Sequence, residues 1–130
     1  MASLDPHDLA DVALTFLRER HLATLTTLRR DGSPHVVPVG FSYDASTAQA
    51  RVITFASSVK AHNAARGGRA VVSQVDGGRW LSLEGVARLT ADPVEVQAAI
   101  DGYAARYRQP GEREDRVAII IDVDRILGRA

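Results

Sequence analysis

Leu22-Ala23-Thr24-Leu25-Thr26-Thr27-Leu28, then Arg30-Asp31-Gly32-Ser33, then Pro34-His35-Val36-Val37-Pro38-Val39-Gly40-Phe41: this succession decides the fold. The first run mixes Thr with Leu, which suits a pleated, half-buried strand. The second is a turn signal. The third opens another strand, expected over residues 34–43. Pro38 has no N–H to give a ladder, so that strand belongs at an edge or carries a bulge.

The same punctuation continues on both sides. Downstream, residues 44–47 turn the chain into a third strand over 49–56. Ser57-Ser58 then leads into a short helix over 59–66, stopped by Gly67-Gly68. A fourth strand over 69–75 and a fifth over 80–90 flank Asp76-Gly77-Gly78, and Gly85 marks a bulge or barrel bend. Asp92-Pro93 starts a helix whose inner face carries Val96, Ile100, Tyr103 and Tyr107, and Gln109-Pro110-Gly111 stops it. A last apolar strand is expected over 117–123. Upstream, Asp5 as cap and Pro6 in the first turn predict a helix bearing Leu9, Val12, Ala13, Phe16 and Leu17 on one face, ending near Arg20-His21. The fold class is mainly β with flanking helices, about six antiparallel strands forming a small barrel.

Composition narrows the function. The chain has 130 residues, one domain's worth, expected to span residues 1–130. Acidic and basic side chains balance at 16 each, which argues against nucleic acid or an anionic membrane as partner. No apolar run reaches membrane-span length. Met1-Ala2-Ser3-Leu4-Asp5 lacks the basic start and apolar stretch of a signal peptide, so a cytoplasmic location is expected. Without Cys, disulfides, thiolate metal sites and thiol catalysis are excluded. His7, His21, His35 and His62 form no metal-ligand pair at helical spacing, so no metal site is expected. A nucleophile elbow and a P-loop are both missing.

Three stretches carry candidate chemistry. Of the 16 basic residues only Lys60 is a lysine, and it sits in Ser57-Ser58-Val59-Lys60-Ala61-His62-Asn63. Two hydroxyls before a helix with an ammonium in its first turn suit a phosphate. The same residues also read as an ordinary serine cap followed by a solvated lysine. Pro38 and Gly40 would let a flat ligand approach the backbone of His35-Val36-Val37-Pro38-Val39, which also reads as a plain bulged edge strand. Trp80, the only tryptophan, reads equally as a core residue, a ring cover or an interface anchor. The helix end Tyr103, Arg106, Tyr107 and Arg108 reads as a core stripe beside a solvated edge, or as a wall near a large acidic substrate.

Taken in order, these blocks resemble the pyridoxamine-5′-phosphate oxidase-like split barrels, the flavin/deazaflavin oxidoreductase superfamily. The likeness runs from about Leu9 to Leu127. It resembles in particular the branch that uses the deazaflavin coenzyme F420, and within it the F420-dependent biliverdin reductases. The blocks behind this are residues 35–41, Ser73-Gln74-Val75-Asp76-Gly77, residues 79–85 and Arg106-Tyr107-Arg108. FMN-binding members usually carry an arginine in the second strand, and residues 36–41 hold no basic residue. The resemblance implies an FMN-binding split barrel fold, coenzyme F420 as cofactor with FMN as the alternative, and hydride transfer to a conjugated substrate such as biliverdin. A non-enzymatic F420- or tetrapyrrole-binding protein is the other alternative. It further implies that Ser57, Ser58, Lys60 and Asn63 contact the cofactor phosphate and its tail. His35, Val36, Val37, Pro38 and Val39 would face the deazaflavin ring, with Ile53 and Thr54 beside it. Gln74, Arg79 and Trp80 would reach the cofactor from the second subunit of a homodimer.

Overall fold

β1 (Ala23–Leu28) and β2 (Pro34–Val39) form the expected hairpin in the computed structural model, which describes residues 3–130. Met1 and Ala2, which open the N-terminal stretch read above, lie outside the described residues. Among the described residues β2 pairs only with β1, so Pro38, opposite Thr24, sits on an edge strand, where proline is tolerated.

The chain continues as β3 (Ser42–Asp44), β4 (Gln49–Phe55), α2 (Val59–Ala65), β5 (Arg69–Asp76), β6 (Arg79–Thr90), α3 (Pro93–Arg106) and β7 (Arg116–Arg129). α1 (Asp11–Arg18) precedes the hairpin. One antiparallel sheet runs in the order β2-β1-β5-β6-β7-β4-β3. Its two edge strands are neighbours in sequence, yet no ladder joins them among the described residues, so the barrel is split rather than closed.

Seven strands stand where about six were expected, because the run over 34–43 divides at Gly40-Phe41. The reason is tertiary. The Phe41 N–H donates to the Tyr107 hydroxyl, and its C=O accepts from Arg106 Nη1. Backbone groups taken by side chains of α3 are not available to a ladder.

α1 also starts later than expected. Leu4 is already bridged to Ile126 of β7, its N–H donating at 2.7 Å. Asp5 accepts from the His7 N–H in a local turn rather than capping a helix. β7 is longer than expected, since Asp122, Asp124 and Arg125 point to solvent while Val123 and Ile126 stay buried. Gly85 marks the foreseen bulge: the β6–β7 register shifts between Glu84 and Gly85. A Cβ there would stand 2.0 Å from the Asp122 carbonyl oxygen.

The core fills the barrel with Leu25, Phe41, Val52, Leu81, Leu83, Ile119 and Ile121, and α1 closes one side with Phe16 and Leu17. A smaller cluster of Val96, Ala99, Ala118 and Ile120 seats α3 on the outside of β7. α3 is capped as expected, Asp92 accepting from the Glu95 N–H. None of the helices is long and apolar enough to cross a membrane among the described residues.

Candidate active-site groove

A groove of about 530 Å³ lies between the β2–β3 bend, the end of β4, the first turn of α2 and the α3–β7 loop. One wall is Pro38, Val39 and Gly40; the opposite one includes Ile53, Thr54 and Phe55. Lys60, Tyr103, Arg108, Arg113 and Arg116 also line it, and no carboxylate does among the described residues.

α2 places Lys60. Ser58 caps the helix, its hydroxyl accepting from the Ala61 N–H and paired with Thr54 Oγ1 at 3.0 Å. Asn63 ties the helix to β1, its amide donating to Thr27 Oγ1 at 3.0 Å while its oxygen accepts from Arg66. Ser58 and Asn63 are therefore buried scaffold, whereas Ser57 is exposed. The Lys60 ammonium stands 5.8 Å from the Phe55 ring centroid. Partial burial lowers its pKa below the ordinary lysine value.

Along β2, Val36 points outward and Val37 packs on the core. His35 faces inward opposite Thr27, and its Nδ1 is buried without a hydrogen-bond partner. Of the expected ring contacts, Pro38, Val39, Ile53 and Thr54 meet in the groove with Lys60.

Gln74, Arg79 and Trp80 lie away from it on the same chain. Gln74 is 1% exposed, donating to the Phe16 carbonyl and accepting from Arg106. Arg79 pairs with Asp76 at 2.6 Å and Glu19 at 3.1 Å, over the Phe16 ring. Trp80 is half-buried on the outer face of β6.

The α3 end resolves into two jobs. Arg106 is buried with no carboxylate partner among the described residues, and it stacks on Phe41. Its guanidinium donates to Glu19 O, Phe41 O and Gln74 Oε1 at 2.7–2.8 Å. Burial pulls its pKa below the usual arginine value. The Tyr107 hydroxyl donates to His21 O at 2.7 Å and bonds Phe41. Together they clasp the β2–β3 bend. Gly40 fits beneath them because a Cβ would press on Tyr103 and Tyr107 at 3.0 Å. Tyr103 and Arg108, by contrast, face the groove.

Phe55, Arg113 and Arg116 were not foreseen as groove residues. Phe55 read only as a strand residue, and the arginines lie beyond Pro110, where the expected helix stops. The available signal was the charge density of residues 108–116 just before a strand that returns beside β4.

A sequence model of the family described as pyridoxamine 5′-phosphate oxidase matches residues 9–130. The chain belongs to that family. An F420H2-dependent biliverdin reductase of Mycobacterium tuberculosis (strain CDC 1551 / Oshkosh) is 57% identical over 122 residues, covering 94% of this chain and 89% of that protein. Among solved structures, a conserved hypothetical protein of Mycobacterium tuberculosis superposes with TM-score 0.79 at 22% identity, over 99% of this chain and 89% of that one. A protein described as an F420 reductase gives TM-score 0.71 at 23% identity, over 87% of this chain and 94% of that one. At these identities the structural likenesses speak for the fold.

Proposed function

We propose that this chain is an F420H2-dependent reductase that delivers hydride to biliverdin and yields bilirubin. The observation that carries the reading is the 57% identity, over nearly the whole chain, to a protein of that activity. The groove supports it. Four cations line it with no carboxylate, which suits a cofactor bearing a phosphate and an acidic tail. Pro38–Gly40 on one side and Ile53–Thr54 on the other leave a slot for a flat ring.

When bound, reduced F420 supplies a hydride to the central methine carbon of biliverdin, and a proton joins a pyrrolic nitrogen. The protein's part is binding, orientation and exclusion of water. Lys60, with exposed Ser57, holds the phosphate. Ser58 and Asn63 fix the helix that presents Lys60. The backbone of Pro38–Gly40 and the Ile53 and Thr54 side chains position the ring, while Tyr103, its ring 4.9 Å from that of Tyr107, shields one side of the groove.

A second copy completes the site in this reading. Register places Val36, Pro38, Thr24, Thr26, Ser73 and Trp80 on one outward face of the sheet. Val36 is 55% exposed there and Val75 68%. Pro38 belongs both to this face and to the groove, so the groove opens onto the proposed interface. Trp80 lies on that face, whereas Gln74 is buried and bonded to Phe16 and Arg106 and Arg79 lies over the Phe16 ring, so of these three Trp80 is the one presented to a second copy.

The test is a parallel fluorescence titration with F420 and FMN, followed by anaerobic mixing of F420H2 with biliverdin. Quenching of F420 and oxidation of F420H2 in step with bilirubin formation are expected. Absence of both, or purification with a yellow flavin spectrum, overturns the reading.

A further inference from the structure

The loop from α3 to β7 keeps its two glutamates out of the groove. Arg108 lines the groove alone, Arg113 and Arg116 line both the groove and an adjoining depression, and Glu112 and Glu114 line only that depression. The loop is fastened at both ends. Tyr107 is held at its start by the bond to His21. At its end the Ala56 N–H donates to the Asp115 carbonyl at 2.9 Å, and Arg116 pairs with Phe55. Arg116 also braces the bend, donating to the Gly111 carbonyl at 2.6 Å. A charged rim held this way keeps its place beside the ring slot.

Arg108 has no hydrogen bond or ion pair among the described residues. The Arg113 guanidinium lies 4.2 Å from the Phe55 ring centroid, the same ring that Lys60 approaches. Its carboxylate partner is the exposed Asp115, two residues away. Exposed pairs of this kind contribute little and exchange readily. A ligand carboxylate in a groove that has no acid of its own competes well for such a planar fork.

We propose that Arg108 and Arg113 form an acid-recognition subsite on the groove rim, taking carboxylate groups of the bound small molecule, with Arg116 as brace. This rests on the reductase reading and adds the residues that select for acidic ligands. Two molecules bring carboxylates to this place: biliverdin through its propionates, and F420 through its glutamyl tail.

The test compares wild type, Arg108→Ala, Arg113→Ala and the double variant by equilibrium binding. Four probes are used: biliverdin, its dimethyl ester, F420 and the deazaflavin chromophore lacking phosphate and tail. Arg125→Ala, an exposed arginine outside the groove, serves as the charge control, and thermal melts verify folding. The double variant is expected to lose at least tenfold in affinity for a charged probe and less than twofold for its uncharged counterpart. Loss confined to the biliverdin pair assigns the subsite to the substrate; loss confined to the F420 pair assigns it to the cofactor. Equal losses within both pairs, no loss, or the same loss in Arg125→Ala overturns the proposal. If wild type binds no F420, the reductase reading fails, and the biliverdin pair alone decides: no wild-type preference for the acid over the ester overturns the subsite as well.

Discussion

Lys60 and Arg106 show how differently two basic residues of one chain are employed. Lys60 has no acidic partner in the groove, and partial burial lowers its pKa. Its native form thus releases its proton at a lower pH than the unfolded chain does. Over that interval its contribution to stability rises with pH, whereas its hold on an anion falls. F420 affinity is expected to weaken once pH passes the lowered pKa, before the ordinary lysine range, and Lys60→Arg is expected to hold its affinity there because arginine stays charged. Titration of both proteins by fluorescence from neutral to alkaline pH measures this. At neutral pH Lys60→Ala removes a charge-assisted contact of about 1.5–3 kcal/mol, about ten- to hundredfold in Kd; unchanged affinity takes Lys60 out of the site. Arg106 works through other groups. Replacing it with Ala strands acceptors on Phe41, Gln74 and Glu19, at a cost on the order of 3 kcal/mol. Urea denaturation measures that loss, and Arg106→Lys is expected to restore little, since an ammonium cannot reproduce the fork. Lys60 was legible as a candidate because it is the only lysine; Arg106 was legible as part of a basic, aromatic helix end, but its role as a clasp was not, because its acceptors come from three separate segments.

At the scale of elements, two glycines set close approaches in the fold, one beside the groove and one in the β6–β7 ladder. Gly40 lets the Tyr103 and Tyr107 rings lie against the backbone where β2 gives way to β3. Gly40→Ala is expected to push those rings by a few tenths of an ångström, lower stability by about 1–3 kcal/mol, and weaken cofactor binding more than a substitution on the far side of the barrel. Thermal melts with F420 titration separate the two effects. Gly85 is stricter, because a Cβ meets backbone rather than a movable ring. Gly85→Ala is expected to cost about 3 kcal/mol or more, visible as a large fall in Tm; a Tm near wild type shows that the bulge relaxes elsewhere. Gly85 was legible as a bulge because an isolated glycine in a strand pattern has few other uses. The division of residues 34–43 into two strands was not, because the side chains that take the Phe41 backbone come from α3.

For the molecule as a whole, the outward face of β2, β1, β5 and β6 is the proposed seam between two copies. Val36→Glu places a carboxylate on the exposed edge strand of that face, where a like charge from the second copy faces a desolvated interface. Light scattering is expected to move from twice the 14.0 kDa chain mass toward the monomer, with F420 affinity falling in parallel. A variant that remains dimeric with unchanged affinity removes this face from the site. The sequence by itself determined the order of the elements, that β2 is an edge strand or a bulged one, that Gly85 marks a bulge or a bend, and the capped helix bearing Lys60. These follow from local rules: residue period, turn chemistry, caps and the missing N–H of proline. Tertiary structure alone decided that α1 begins at Asp11, that Asn63 and Gln74 are buried and internally bonded, and that residues 108–116 fold back to rim the groove. Each of those outcomes depends on a partner far along the chain, and a buried polar group takes whichever partner the packing brings to it.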